Sequence, residues 1–315
     1  MSTTSALALA KPQSWWARAW DSDLAYSFRH SPVAIVAAIV VLLLVGAALL
    51  APLIAPQNPF DLATVDLMDS RTPPVWSEGG NPKYILGTDD QGRDVLSLLM
   101  HGIQISLIVG LASVALAMFL GISLGLLAGY VGGKVDAFIM RVADVQLSFP
   151  AILIVLLIDG AARVALPKGS HDSMVFLVIV VAIGLSNWVQ YARTVRGSTL
   201  VEKNKEYVQA ARVIGVNPLA VMFKHVLPNV MGPVLVLATI NIASAVLTEA
   251  TLSFLGVGLP PTSPSLGVQI QKGNELLFSG EWWMVIFPGI ALMMLALSVN
   301  LLGDWLRDAL NPKLQ

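Results

Sequence analysis

The sequence contains no cysteine and few charged residues. Without cysteine the chain has no disulfide bond, no thiolate metal site and no cysteine nucleophile. Charged residues make up 12% of the 315 residues, whereas about 25% is usual for soluble domains. The net charge of −1 provides no basic surplus that would favour binding to nucleic acid. Hydrophobic residues make up 56% and the mean hydropathy is +0.73, which together indicate a polytopic, all-α integral membrane protein.

Sequence motifs for ATP binding and for metal binding are also missing. The stretch GYVGGKV resembles a P-loop, but Ala128 and Val135 occupy the positions where that motif needs glycine and serine or threonine. The four histidines are scattered along the chain without the spacing of a metal site. We therefore expect no catalytic residue, no metal and no cofactor in this chain, and we do not expect it to be an enzyme.

Six apolar segments are long enough, or nearly so, to cross a membrane as helices, because about 20 apolar residues span the hydrocarbon core. They are residues 33–55, about 104–130, 137–159, 174–192, 231–255 and 284–303. The short alternating strands of a membrane barrel are absent from the sequence. The first segment begins near Val33 and is longer than the apolar core of a signal peptide, so we interpret it as a retained span.

The distribution of lysine and arginine predicts which side of the membrane each connection occupies. With the N-terminus in the cytoplasm, the inner segments hold 12 of these residues and the outer segments hold 6. Both termini are therefore predicted to be cytoplasmic. The predicted organisation is a cytoplasmic tail at 1–32, a first transmembrane helix at 33–55, an extracytoplasmic segment at 56–102, a transmembrane domain at 103–304 with a cytoplasmic loop at 198–229, and a cytoplasmic C-terminus at 305–315.

The tail before the first span predicts an amphipathic helix. Trp16, Trp20, Leu24 and Phe28 are spaced four residues apart, which gives an apolar stripe on one helical face. With arginines nearby, such a helix suits the inner membrane interface. A disordered tail is the alternative interpretation.

The outer segment contains an acidic cluster, Asp89, Asp90 and Asp94, with Arg93 among them. These side chains would suit a metal or catalytic site, but the pattern favours a capped helix. We expect Thr88 or Asp89 to cap a helix whose first turn holds Asp90 and Asp94, with Arg93 pairing locally.

Polar residues within the predicted spans are candidates for function, because ionisable groups in a membrane are costly. Arg141 and Asp144 are three residues apart and favour a structural ion pair over a proton relay. Pro150 interrupts the same span, predicts a kink and is a candidate pathway or gating residue. Glu249, near the outer end of the fifth span, either lines a pathway or extends to the interface. Asn241, midway along that span, is either an interhelical hydrogen-bond partner or a pathway residue.

The second span carries glycines at every fourth position. Gly121, Gly125 and Gly129 form a stripe without side chains on one face of the helix. This spacing is typical of close helix–helix contact in membranes. We therefore assign these glycines to packing.

Residues 206–229, EYVQAARVIGVNPLAVMFKHVLPN, predict a helical hairpin between two spans. Gly215 suits a left-handed helix stop, Asn217 suits an N-cap, and Pro218 suits the first position of a second helix. That helix is expected to run through Phe223 and to stop around Pro228. The hairpin could be a DNA-binding helix-turn-helix, a solvated linker or a docking element for a cytoplasmic partner, and the caps and the position between spans favour docking.

The hairpin resembles the EAA signature of binding-protein-dependent ABC importer permeases, in which E-A-A-x-x-x-G is followed at a distance by L-P. The matching positions are Gln209, Ala210 and Ala211, then Gly215, and then Leu227 with Pro228. Glutamine replaces the usual glutamate at position 209. Glu206, about one turn earlier, can supply part of the missing charge.

Four further stretches resemble the dipeptide and oligopeptide permease family, specifically its second, C-type subunit. They are LGTDDQGRDVLSLLMHGIQISL, AGYVGGKVDAFIMRVADVQLSFP, LSFLGVGLPPTSPSLG and NLLGDWLRDALNPKL. The resemblance extends from the first span to the C-terminus. Leu98 and Gln104 stand where the family often has arginine, and Leu266 stands where it often has tryptophan, which can reflect altered cargo or altered pairing.

The resemblance implies a type I ABC importer transmembrane domain with six transmembrane helices and a cytoplasmic coupling helix, in the bacterial inner membrane. The chain would pair with a homologous permease subunit and form half of the translocation pathway. Two ATPase subunits, which bind ATP and Mg, and an extracytoplasmic solute-binding protein would complete the complex. The implied ATPase-coupling residues are Glu206, Gln209, Ala210, Ala211, Gly215 and Pro228.

The implied cargo is a di- or oligopeptide, with nickel chelates or glutathione as alternatives within the same family. A self-sufficient secondary transporter is a different possibility, but it would ordinarily show internal repeats with interrupted helices, and we find no convincing repeat. A membrane scaffold or receptor without a pathway is the third possibility.

Overall fold

The computed structural model describes residues 23–61, 63–165 and 171–310, and in these ranges it is nearly all helical. The helices are α1 (Asp23–Arg29), α2 (Pro32–Ile54), α3 (Val95–Val131), α4 (Gly133–Leu147), α5 (Ala151–Ala165), α6 (His171–Glu202), α7 (Glu206–Val213), α8 (Pro218–Phe254), α9 (Leu266–Leu276) and α10 (Trp283–Ala309). Short 3₁₀ turns lie at Leu67–Asp69 and Leu277–Ser279. Within the described ranges, the β-type pairing is limited to one isolated bridge between Thr88 and Asp94.

Five of the described helices are long and apolar enough to cross a membrane: α2, α3, α6, α8 and α10. The predicted third span at 137–159 is divided between α4 and α5, which meet at a bend of 95°. Pro150 lies in the break between the two helices, where its missing N–H and its ring prevent a continuous helix. The expected kink is therefore a full interruption, and a sixth span exists only if the bent pair is counted as one.

Helix α3 packs most extensively against α6. A Cβ atom added at Gly125 would lie 2.4 Å from the carbonyl oxygen of Ala192 in α6. Gly121 and Gly129 meet α6 in the same way, against Tyr191 and Thr199. The three glycines thus allow the two backbones to approach more closely than any side chain would permit.

The bundle has two ends that we name by their contents. The loop end contains residues 55–61, 63–94 and 255–282, and the hairpin end contains residues 203–217. At the loop end, Trp283 Nε1 donates a hydrogen bond to the Thr88 carbonyl at 3.0 Å, and Gln269 Nε2 donates to the Leu98 carbonyl at 2.7 Å. These bonds join α9 and α10 to the segment that precedes α3 and to its first turn.

The capped helix expected at Thr88 or Asp89 begins later in the chain. Asp94 is the N-cap of α3, because its carboxylate accepts hydrogen bonds from the Ser97 N–H at 2.8 Å and the Ser97 hydroxyl at 2.6 Å. Burial raises the pKa of Asp94. The local pairing of Arg93 is present, since its guanidinium lies 2.6 Å from the Asp89 carboxylate and both side chains are buried. The cap prediction was wrong because residues 89–93 form a tight turn that is closed by the bridge between Thr88 and Asp94, so the helix begins only at Val95.

The predicted interfacial helix is only partly described. Trp16 and Trp20 lie outside the described residues, while Leu24 and Phe28 belong to α1. The Phe28 ring makes an edge contact with Trp305 of α10, with ring centroids 5.1 Å apart. This contact brings α1 to the hairpin end of the bundle.

Candidate functional site

The connection between α6 and α8 forms a capped helical hairpin. Helix α7 ends at Val213, and Gly215 two residues later has φ +83°, a left-handed conformation that favours glycine. The Gly215 N–H donates to the Arg212 carbonyl at 3.0 Å, and the Val216 N–H donates to the Ala211 carbonyl at 3.1 Å. These two bonds are those of a Schellman motif, so the helix stop lies at the position that the sequence predicts.

The second helix of the hairpin is the first part of α8. The Asn217 side chain accepts a hydrogen bond from the Leu219 N–H at 2.9 Å, and Pro218 occupies the first turn. The expected stop at Pro228 does not occur, because the helix continues to Phe254. Residues Val221–Val226 are π-helical, and this wider turn directly before Pro228 accommodates the proline ring and its missing N–H.

The two helices of the hairpin close on an apolar core of their own. Val208 and Ala211 of α7 are buried together with Val221, Met222 and Val226 of α8. Ala211 was expected to lie on an outer contact surface. It is only 6% exposed and therefore does not. The reason is that positions 208 and 211 face the same side of α7, the side that packs against the π-helical turn.

The outer face of the hairpin is apolar and exposed. Val213 is 87% exposed and Ile214 is 78% exposed, and Leu219 and Phe223 are also exposed. Gly215 beside them has open space around its α-carbon. Isolated apolar residues at a surface are ordinary, but several on one capped projection are typical of a contact surface for another protein.

The polar residues of the signature also lie on the exposed side. Glu206, Gln209 and Ala210 are exposed, and Gln209 makes a long contact of 3.5 Å from Nε2 to the Asn204 carbonyl. Among the residues that the structure describes, Glu206 forms no ion pair. The side chains of Glu206 and Gln209 are thus available to a partner.

One hydroxyl group of α7 joins this short helix to both adjacent long helices, α6 and α8. Tyr207 Oη donates a hydrogen bond to Glu202 Oε1 at the end of α6 and accepts one from Asn229 Nδ2 of α8 at 3.0 Å. Glu202 Oε2 also pairs with Lys205 Nζ at 2.8 Å. Burial, and next the bond to Glu202, raise the pKa of Tyr207 to about 12, so the hydroxyl keeps its proton at neutral pH. The sequence alone gave no signal for this arrangement.

The predicted ion pair between Arg141 and Asp144 does not form. Asp144 instead lies 2.5 Å from Arg193 of α6, and Asp136 pairs with Arg196 of the same helix. Within the described part of the chain Arg141 has no ion-pair partner. The prediction was wrong because α4 lies along α6, whose arginines reach the acids of α4 from the side.

Two polar residues of α8 lie inside the bundle. Glu249 is fully buried and accepts hydrogen bonds from the hydroxyls of Ser106 and Ser253, both at 2.8 Å, so it does not extend to the interface. Asn241 is buried beside the Tyr191 hydroxyl of α6. Among the described residues, neither Asn241 Nδ2 nor Tyr191 Oη has a hydrogen-bond partner at ordinary distance. Glu249 therefore joins α8 to α3, and Asn241 lies buried where α8 faces α6.

Two features bear on metal binding and on hydrolase chemistry in the described ranges. No group of three or more histidine, aspartate or glutamate side chains there is placed to hold a metal ion. Residues 121–125 spell the pattern G-x-S-x-G, but Ser123 lies inside the continuous helix α3. A hydrolase needs this pattern on a sharp strand-to-helix turn, so the pattern belongs to helix packing here.

Two family models match the chain. Residues 121–315 match the model described as binding-protein-dependent transport system inner membrane component. Residues 14–74 match the model described as N-terminal TM domain of oligopeptide transport permease C. The first match covers more than half of the chain and includes the whole hairpin.

Several curated proteins are similar over nearly the whole length. The di/tripeptide transport system permease protein of Pseudomonas aeruginosa is 39% identical, over 92% of this chain and 91% of its own. The oligopeptide transport system permease protein of Bacillus subtilis is 34% identical, over 93% and 90%. The glutathione transport system permease protein of Pectobacterium atrosepticum is 36% identical, over 91% and 89%.

A solved structure has the same fold. A chain of the MetNI methionine ABC transporter, in inward-facing conformations, superposes with a TM-score of 0.54 at 19% identity. The match covers 68% of this chain and 96% of that chain. At this identity the likeness describes the fold of the helical bundle and nothing beyond it.

Proposed function

The chain belongs to the family of binding-protein-dependent transport system inner membrane components, and on this premise we propose that it is the permease subunit of an ATP-driven importer for di- or oligopeptides. The family makes it a multi-pass inner-membrane protein of an ABC importer, in which separate ATPase subunits hydrolyse ATP. The peptide cargo is supported by relatives whose names give dipeptides, tripeptides or oligopeptides as their substrates. Glutathione, named for one relative, is the second candidate.

We propose that the hairpin at the α6–α8 connection is the coupling element that contacts an ATPase subunit. The observation that carries this role is the exposed apolar surface of Val213 and Ile214 on a projection held by two helix caps. In the proposed orientation both termini and the hairpin are cytoplasmic, which agrees with the excess of lysine and arginine at that end.

The complete transporter would contain further subunits. A homologous permease would supply the other half of the translocation pathway, and two ATPases would bind ATP and Mg. A solute-binding protein would deliver cargo to the loop end. Measuring which ligand this binding protein retains distinguishes peptides from glutathione.

The docking role is tested by placing a charge on the exposed surface of the hairpin. In the assembled transporter, Val213→Asp or Ile214→Asp should abolish most ATP-dependent peptide uptake, because a carboxylate would have to be desolvated in an apolar contact. Uptake into proteoliposomes and co-purification of the ATPase subunits are the measurements. Met68→Asp, the same kind of change at an exposed site of the loop end, is the matched control and should leave ATPase co-purification unchanged. Normal uptake and normal co-purification in both hairpin variants would contradict the docking role.

A further inference from the structure

We propose that the Tyr207 hydroxyl transmits movement of the hairpin to α6 and α8 together, and we call its hydrogen bonds to Glu202 and Asn229 the Tyr207 bridge. This inference rests on the proposed function, since it assigns a positioning role within the coupling hairpin. The bridge acts on the permease side of the contact and does not itself touch the ATPase. It therefore concerns how motion is passed on, which is separable from how the ATPase is held.

The first half of the Tyr207 bridge reaches the end of α6. Glu202 is the last residue of that helix and is buried, which is unusual for a carboxylate. Its two oxygens are satisfied by the Tyr207 hydroxyl and by Lys205 Nζ. A hydrogen bond from a hydroxyl to an ionised carboxylate is stronger than one between neutral groups, so α7 is held firmly to α6.

The second half reaches α8. Asn229 Nδ2 donates to Tyr207 Oη at 3.0 Å and also to the His225 carbonyl at 2.7 Å. The same hydroxyl lies 3.2 Å from that carbonyl, which belongs to the π-helical turn. One side chain of α7 is thus bonded on one side to the end of α6 and on the other side to the first turns of the membrane-spanning part of α8.

Other contacts of this region lead elsewhere. The Arg212 guanidinium lies over the Tyr130 ring, 5.1 Å from its centroid, and Lys203 Nζ donates to the Gly129 carbonyl at 2.6 Å. Both of these contacts go to the end of α3. The buried apolar contacts of Val208 and Ala211 hold the hairpin together but are not directional. Among these contacts, the Tyr207 bridge is the one that joins a side chain of α7 by hydrogen bonds to both α6 and α8.

Removing the hydroxyl alone isolates this role. Tyr207→Phe keeps the aromatic ring beside His225 but removes the hydrogen bonds to Glu202 and Asn229. Glu202 keeps its ion pair with Lys205, so its charge remains compensated. The hairpin should fold and bind the ATPase subunits, while its orientation relative to the two long helices becomes less fixed.

The experiment measures peptide uptake and ATP hydrolysis in the same proteoliposomes, with the complete transporter. Tyr207→Phe should lower the amount of peptide transported per ATP by at least about threefold, as expected for loss of a charge-assisted hydrogen bond. Co-purification of the ATPase subunits should be unchanged. Tyr26→Phe removes the hydroxyl of an exposed tyrosine in α1 and is the matched control, with unchanged coupling expected.

A second variant removes the hydrogen bond of the Tyr207 bridge that comes from α8. Asn229→Leu should lower peptide transported per ATP to a similar extent, and the double variant should be little worse than either single one, because the two residues share one interaction. Additive losses in the double variant, or an unchanged ratio of uptake to hydrolysis in Tyr207→Phe, would overturn the Tyr207 bridge as a transmitting element. Loss of ATPase co-purification in Tyr207→Phe would also overturn it, since the residue would then act in docking.

If the proposed docking role is wrong, the variants give a different pattern of results. If the hairpin is not the docking element, Val213→Asp leaves both uptake and co-purification normal. A normal ratio of uptake to hydrolysis in Tyr207→Phe together with a defective Val213→Asp overturns the transmitting role alone.

Discussion

The buried carboxyl of Glu249 organises the connection between α8 and α9. Its two oxygens accept hydrogen bonds from Ser106 of α3 and Ser253 of α8. Each serine oxygen then accepts a backbone N–H, from Leu266 at 3.3 Å and from Leu259 at 3.2 Å respectively. Glu249 thereby holds both serines in the orientation that fixes the start of α9 and the loop before it.

Removal of this carboxyl should loosen the loop more than removal of its charge. Glu249→Leu leaves two buried hydroxyls without their acceptor, at a cost on the order of 1–3 kcal/mol for each group that finds no other partner. Glu249→Gln retains one acceptor oxygen and should have a smaller effect. The measurement is hydrogen exchange at the amides of Leu259 and Leu266. Exchange should be fastest in Glu249→Leu, slower in Glu249→Gln and slowest in the wild type.

Thr248→Val is the matched control for this series. The Thr248 hydroxyl is exposed and bonds only to the Ser244 carbonyl of its own helix, at 2.8 Å, among the residues described. The change should leave exchange in the loop at the wild-type rate. Equal exchange in all three variants would show that the serines hold the loop without Glu249.

Single-residue partners were only partly predictable from the sequence. Local pairs such as Arg93 with Asp89 follow from spacing, because four residues separate them. For Asp144 the spacing favoured Arg141, three positions away, whereas the partner in the structure is Arg193, 49 positions away. The Tyr207 bridge was missed for the same reason, since its parts come from three helices. Charge and spacing give the types of contact, but the choice among partners depends on tertiary structure.

At the level of the helices, the contact between α3 and α6 should be the most sensitive to added volume. Gly125→Ala would place a methyl group 2.4 Å from the Ala192 carbonyl oxygen and 2.9 Å from its α-carbon, both of them backbone atoms that cannot turn aside. The two helices would have to separate, at a cost of about 1–3 kcal/mol. Thermal unfolding in detergent should show a lower midpoint than for the wild type.

Gly46→Ala provides the matched change in α2. No atom lies within 4 Å of a Cβ added there, so the substitution should be neutral or slightly stabilising, as expected for replacing glycine within a helix. A Gly125→Ala protein as stable as Gly46→Ala would mean that α3 and α6 are free to move apart, contrary to the packing described.

The helices themselves were largely predictable, and two prolines show what the sequence does not decide. The spans at 33–55 and 284–303 agree with α2 and α10 to within a few residues, apart from the C-terminal extension of α10. The interruption predicted at Pro150 is present, whereas the stop expected at Pro228 does not occur. Pro150 separates two helices at 95°, whereas Pro228 is absorbed by a π-helical turn within a continuous α8. The local sequence around each proline is compatible with a kink, a break or a wider turn, and packing against neighbouring helices selects among them.

At the scale of the whole molecule, the proposed orientation follows from the sum of many lysines and arginines rather than from any single contact. The loop end and the hairpin end differ in structure as well, since one consists of irregular segments with α9 and two 3₁₀ turns and the other of a compact capped hairpin. A charge count of this kind predicts which side each end faces. The predicted orientation can be tested directly, because the chain has no cysteine and each introduced thiol is therefore unique within it.

Single cysteines at exposed positions should label according to the side of the membrane on which they lie. Met68 and Phe278 at the loop end are 91% and 98% exposed, and Leu219 represents the hairpin. In intact spheroplasts a membrane-impermeant maleimide should label Met68→Cys and Phe278→Cys, and it should label Leu219→Cys only after the membrane is disrupted with detergent. Labelling of Leu219→Cys in intact spheroplasts, together with protection of the other two, would reverse the orientation. Such a reversal would remove the hairpin from the compartment that holds ATP, and the coupling role of α7 and the Tyr207 bridge would have to be abandoned with it.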